Sequence, residues 1–72
     1  MTFNERLKLL RTENKLTQDN VAKGLEMPTR SYQRLESDGA KAQFDTLLKI
    51  ANYYGVSIDW LVGRTDKREV NR

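Results

Sequence analysis

The sequence predicts an all-α protein, a single domain of five short helices. Three observations lead there. Hydroxyl residues such as Thr2, Thr17 and Ser57 stand just ahead of apolar residues spaced three or four apart, as at the starts of capped amphipathic helices. Stopping residues divide these stretches at short intervals: Asn14-Lys15, Pro28, Gly39 and Gly55. Finally, 72 residues supply one small hydrophobic core and no second one.

The elements follow in order. Thr2 with Glu5 three residues on is a capping-box start, and Phe3, Leu7 and Leu10 mark one face of a first helix running to about Glu13. Asn14 and Lys15 break the pattern. Thr17 then caps a second helix over Gln18 to Leu25, with Val21, Ala22 and Leu25 inward, and Gly24 near its end lets another backbone come close. Pro28 disfavours helix in the residue before it yet suits a helix's first turn, so a tight corner is expected at Glu26-Met27-Pro28. The third helix runs from Thr29 to about Ser37, with Tyr32 and Leu35 inward and Arg30, Arg34 and Ser37 on the opposite side. Asp38 and Gly39 end it. After the loop "AKAQF", Asp45 opens a fourth helix to Tyr54, burying Leu47, Ile50, Ala51 and Tyr54; Gly55 stops it. Ser57 caps a short fifth helix, "IDWLV", with Asp59 in its first turn. Residues 1–63 are thus expected to be the domain, and 64–72, charged and without apolar periodicity, a flexible tail.

Composition narrows the function. Without Cys or His the chain offers no disulfide, no thiolate nucleophile, no imidazole base and no ordinary zinc site. Neither a cofactor nor a metal is expected, and an enzyme is disfavoured, since Glu13, Asp19 and Glu26 read as solvated charges scattered over helix surfaces. The start "MTFNERLKLLR" has no secretory pattern, and the most apolar tract carries Lys49, Asn52 and Asp59, so a soluble cytoplasmic protein without a membrane partner is expected. Residues 1–63 hold nine Lys/Arg against eight Asp/Glu, the tail four against two. Nucleic-acid binding would therefore need a local patch.

One stretch offers that patch. In "MPTRSYQRLES" the outward side carries Thr29, Arg30, Gln33, Arg34 and Ser37 without a carboxylate. Two short helices joined by a tight corner, the second with such a face, form a helix-turn-helix. A DNA major groove admits one helix; Arg matches the acceptor pair of guanine, Gln the donor and acceptor of adenine, and a Thr methyl can touch thymine. The bland alternative is a solvated face, because surface helices carry Arg and Gln for solubility alone. Tyr53, Tyr54 and Trp60, at helical positions beside Leu and Ile, read as core and its rim more than as a base-stacking platform.

The runs "RLKLLRTENKLTQDNVAKGLEMPTRSYQRLES" and "DTLLKIANYYGVSIDWLVGRTD" resemble the Cro and phage-repressor-like helix-turn-helix family over about residues 4 to 66. The pieces that carry the resemblance are "LTQ" opening the second helix, Leu35-Glu36 closing the third, and "LLKIANYYGVSIDWLVG". The resemblance implies the lambda-repressor-like five-helix fold and sequence-specific binding of double-stranded DNA as a transcriptional regulator, a repressor in type. It also implies roles at matching positions. Thr29, Arg30 and Arg34 would reach base edges, with Gln33 beside them. Gln18, helped by neighbouring backbone amides, and Ser37, Lys41 and Gln43 would hold phosphates. Arg11 and Glu36 match a partly buried salt bridge. Three departures bear on side-chain aim: Glu26-Met27-Pro28 replaces a corner that usually begins with Gly, Lys15 stands where Gly is common so that Asn14 or Lys15 would take a strained turn, and Ala42 replaces a frequent Pro.

Related proteins bind two-fold symmetric operators as dimers, so the expected partners are DNA and a second copy, weakly associated when free and more strongly on DNA. Phe44, Ile58, Trp60 and Val62 either form that contact or, for Phe44 and Trp60, complete the core. A competing class keeps the fold and changes the use: an antitoxin-like or adaptor module that binds protein, marked by an exposed apolar face without salt-dependent DNA affinity.

Overall fold

A computed structural model describes residues 1–69. Five helices follow one another there: α1 (Phe3–Glu13), α2 (Gln18–Gly24), α3 (Thr29–Leu35), α4 (Phe44–Tyr54) and α5 (Ile58–Leu61), and the described residues contain no strand. The starts are built as their cap residues require. Thr2 and Glu5 bond reciprocally as a capping box, Thr17 does the same with Asn20, and the Ser57 hydroxyl accepts from the Trp60 amide. Two starts lack side-chain caps, Pro28 before α3 and Gln43 before α4; α4 accordingly begins one residue earlier than Asp45, at Phe44.

The helix ends are more revealing. α1 and α2 both close in a Schellman motif: Leu16 N–H donates to Arg11 O (3.0 Å) and Lys15 N–H to Thr12 O (3.1 Å), while Met27 N–H donates to Ala22 O (3.0 Å) and Glu26 N–H to Lys23 O (3.1 Å). The motif needs a left-handed residue, and here Lys15 (φ 55°) and Glu26 (φ 57°) fill it in place of Gly. The strain expected at Asn14 or Lys15 falls on Lys15, and the corner carries a second instance at Glu26. Leu16 and Met27, the residues after each, turn inward and pack against the core.

The third helix ends at Leu35 and not at Ser37. Its continuation would need the Gly39 amide to bond Leu35 O; instead the buried Asn4 of α1 intervenes. Asn4 Nδ2 donates to Leu35 O (2.6 Å) and Ala40 O (3.0 Å), and its Oδ1 accepts from Gly39 N–H (3.2 Å). One side chain thus stops the helix and pins the loop that follows.

The core collects Leu7, Leu10, Val21, Ala22, Leu25, Tyr32, Ile50, Val56, Trp60 and Leu61 from all five helices and from the connections after α2 and α4, with Leu35, Leu47 and Tyr54 packed partly buried against it. α2 packs most closely on α3, and α5 bridges α4 and α1. Gly24 serves a different approach from the one expected: the ring of Tyr53, not a backbone, lies where a Cβ would stand. Tyr53 itself is exposed and meets Tyr54 edge-on, 4.9 Å between centroids.

Residues 64–69 also differ from the expected loose tail. Arg68 O accepts from the Ser57 amide (2.9 Å), Arg68 forks onto Glu13 (2.7 and 2.9 Å), and Thr65 O accepts from Arg6 (3.3 Å). The guanidinium groups of Arg6 and Arg68 each lie 4.7 Å from the Trp60 ring centroid. The described part of the segment is held by these bonds; residues 70–72 lie outside the described residues.

Candidate nucleic-acid interface

α2 and α3, joined through Leu25–Pro28, pack against each other. Tyr32 is fully buried and Leu35 half-buried, so α3 is anchored along one line. By the 100° turn per residue, Arg30, Gln33 and Arg34 stand on the remaining side, and all three are exposed. Arg30 and Arg34 make no hydrogen bond or ion pair among the described residues, which leaves their planar donor forks available to a partner. Thr29, half-buried in the first turn, donates its hydroxyl hydrogen to Asp19 Oδ1 at 2.6 Å. The carboxylate-free face of α3 therefore has a carboxylate beside it, supplied by α2.

Behind this face runs a polar relay. Arg11 donates to Glu36 through Nε (2.7 Å to Oε2) and Nη2 (3.1 Å to Oε1), tying α1 to the end of α3. Gln18 Nε2 donates to Glu36 Oε1 (3.3 Å), and Gln33 Nε2 donates to Gln18 Oε1 (3.2 Å). Gln18 and Gln33 are thereby oriented before any partner arrives, each with a second amide hydrogen not used in these bonds. Burial alone would push the Glu36 carboxyl up, but the Arg11 bonds oppose it and hold the group below the usual carboxylate range. Burial first, then the Glu36 charge, raises the Tyr32 hydroxyl well above its ordinary value. That hydroxyl lies close to Glu36 without hydrogen-bond geometry to it.

The remaining positions expected to touch phosphate follow α3 in the chain. Lys41 and Gln43 lie exposed in the pinned loop, and Gln43 makes no cap bond. Ser37 lies just beyond the helix, exposed, its hydroxyl donating back to Gln33 O (3.3 Å). Gln18, Thr29, Arg30, Gln33, Arg34, Ser37, Lys41 and Gln43 thus come from α2, α3 and one loop. The dimer candidates differ in burial. Trp60 is 5% exposed and belongs to the core, covered by Arg6 and Arg68, so it is removed from that set; Phe44 (65% exposed) and Val62 (39%) are open, and Ile58 is half-buried.

Sequence reasoning missed Asn4, Asp19, Arg6 and Arg68. Asn4 and Leu7 are three apart on one helical face, which marks Asn4 as inward; the partners of the other three depend on tertiary placement. Among the described residues, no group of three or more acidic side chains comes together that could hold a metal ion. None of their helices is long and apolar enough to cross a membrane.

A tight corner joining two packed helices, the second with a free basic and amide face, defines the helix-turn-helix class of proteins. The chain belongs to the helix-turn-helix family, whose sequence profile matches residues 7–61. Among its relatives is the transcriptional regulator ImmR of Bacillus subtilis, 34% identical over 71 residues, which are 99% of this chain and 56% of ImmR. An uncharacterised transcriptional regulator of the same organism, YobD, is 36% identical over 62 residues, 86% of this chain and 55% of YobD. The cryptic phage CTXphi transcriptional repressor RstR of Vibrio cholerae is 31% identical over 64 residues, 89% of this chain and 58% of RstR. The chain spans a little over half the length of these relatives.

Proposed function

We propose that the domain binds double-stranded DNA in a sequence-specific way and regulates transcription, as a repressor, by laying α3 in the major groove. One observation carries the reading: Arg30 and Arg34 stand exposed and unengaged on α3 among the described residues, while the Gln18 and Gln33 amides are held in place by their bonds to Glu36 and to each other. Arg30, Arg34, Thr29 and Gln33 read base edges; Gln18, Ser37, Lys41 and Gln43 meet phosphates on either side. The names of relatives such as RstR support repression. No catalytic step is part of this reading, and its setting is the cytoplasm, where DNA is accessible.

The operator is two-fold symmetric and is occupied by two copies. A helix of seven residues reads only a few base pairs, and paired half-sites lie about 34 Å apart, beyond the 31 Å longest extent of one copy. With Trp60 in the core, the contact between copies falls to exposed Phe44 and Val62 and half-buried Ile58. Their limited area makes the free dimer weak and the DNA-bound one stronger.

Titration of a random-sequence duplex at low and moderate salt tests the reading. Affinity falls steeply with salt, and Lys41→Ala lowers the log–log slope by about one, because one fewer counterion is released. Salt-insensitive or absent binding would favour the antitoxin-like or adaptor module instead.

A further inference from the structure

Asp19 follows the capping residue of α2 by two positions, where a carboxylate is favourable for the helix dipole and needs no further role. Its bond to Thr29 is not explained by that. An ionised carboxylate has no hydrogen to give, so the hydroxyl hydrogen in the 2.6 Å bond comes from Thr29 and points at Asp19. What Thr29 has left for a base edge is its oxygen lone pairs and its methyl group.

We infer that Asp19 is a specificity-determining positioning residue: by holding the Thr29 hydroxyl hydrogen, it makes Thr29 an acceptor-only contact and excludes guanine from the base facing the first turn of α3. The inference rests on the DNA-binding reading above. In the major groove, adenine N6 and cytosine N4 offer N–H donors, whereas guanine offers the acceptors N7 and O6. A free threonine hydroxyl can satisfy either kind of edge by rotation; one committed to a carboxylate satisfies only the amino-bearing bases. The Asp19 charge adds to the same preference, since it repels guanine's acceptors and is tolerated beside an amino group. Arg30 and Arg34, one and five residues further along, carry the opposite preference. The face therefore contains neighbouring positions of opposed chemistry, which gives it polarity along the half-site.

Selection of bound sequences from a random duplex library, run in parallel on the unaltered protein, Asp19→Ala, Thr29→Val and the double variant, tests this. The unaltered protein is expected to enrich a site in which one position of each half-site is adenine or cytosine with guanine depleted. Asp19→Ala is expected to raise guanine there by roughly fivefold to tenfold and to leave the other positions unchanged. On the Thr29→Val background, Asp19→Ala is expected to change nothing at that position. A profile for Asp19→Ala identical to that of the unaltered protein, with tighter binding to every sequence, would overturn the inference and assign Asp19 a general repulsive role. A guanine effect that persists with Thr29→Val would overturn it too, because Asp19 would then act without Thr29. If the unaltered protein enriches no sequence, the DNA-binding reading itself fails, an outcome distinct from either of these.

Discussion

Arg30 and Arg34 were legible as outward residues because helical periodicity places them opposite Tyr32, a relation internal to seven residues of chain. Replacing either with Ala is expected to relax sequence preference at one base position at a cost of about 1 to 3 kcal/mol on the preferred site, while affinity for random DNA falls less. Retention of the full ratio of specific to nonspecific affinity, measured by competition titration, would remove that residue from the base contacts. Arg11 and Glu36 answer to a different measurement, since their 2.7 Å pair lies behind the face. Arg11→Ala leaves a mostly buried carboxylate without its main partner and should cost about 1 to 3 kcal/mol of stability. The pair also sets a pH dependence. Because the folded state holds the Glu36 carboxyl below its usual range, the stabilisation is complete above the ordinary Glu value of about 4.3 and is lost as pH falls below it through the folded value. Glu36→Gln should flatten the acid limb of a plot of thermal midpoint against pH; an unchanged limb would show that other carboxyls govern it.

At the scale of elements, helix starts were readable and helix ends only partly so. Thr2, Thr17 and Ser57 act within four residues of themselves, and the structure uses each as its spacing implies. The end of α3 could not be read in the same way, because Asn4, which stops it, is 31 residues away in sequence. The tail shows the same limit: charge and missing periodicity describe residues 64–69 alone, whereas Glu13, Ser57 and Trp60 hold them. The corners invite a direct test. Lys15 and Glu26 occupy left-handed positions that suit Gly, and relief of that strain outweighs the greater freedom Gly gives the unfolded chain. Glu26→Gly and Lys15→Gly are each expected to raise stability by about 0.5 to 1 kcal/mol, seen as a higher urea midpoint at unchanged slope. A lower midpoint would mean that the Glu26 or Lys15 side chain contributes more than its backbone costs.

The whole molecule divides its surface by chemistry. α2 and α3 present free Arg and oriented Gln, while Phe44 and Val62, outside those two helices, are open apolar residues. Residue type alone left Phe44 and Trp60 equivalent; packing separated them, because α5 turns Trp60 inward, with two guanidinium groups close to its ring. If Phe44 and Val62 join two copies, Phe44→Ser should leave random-DNA affinity nearly intact and weaken binding to a symmetric site. Sedimentation of the complex would then show one copy per duplex where the unaltered protein shows two. Entry of α3 into the groove is checked by amide chemical-shift mapping on addition of a selected duplex. The largest shifts are expected at Gln18, Thr29 through Ser37 and Lys41, with smaller ones at Phe44 and Val62. Shifts concentrated on α4 and α5, with α3 unmoved, would contradict it.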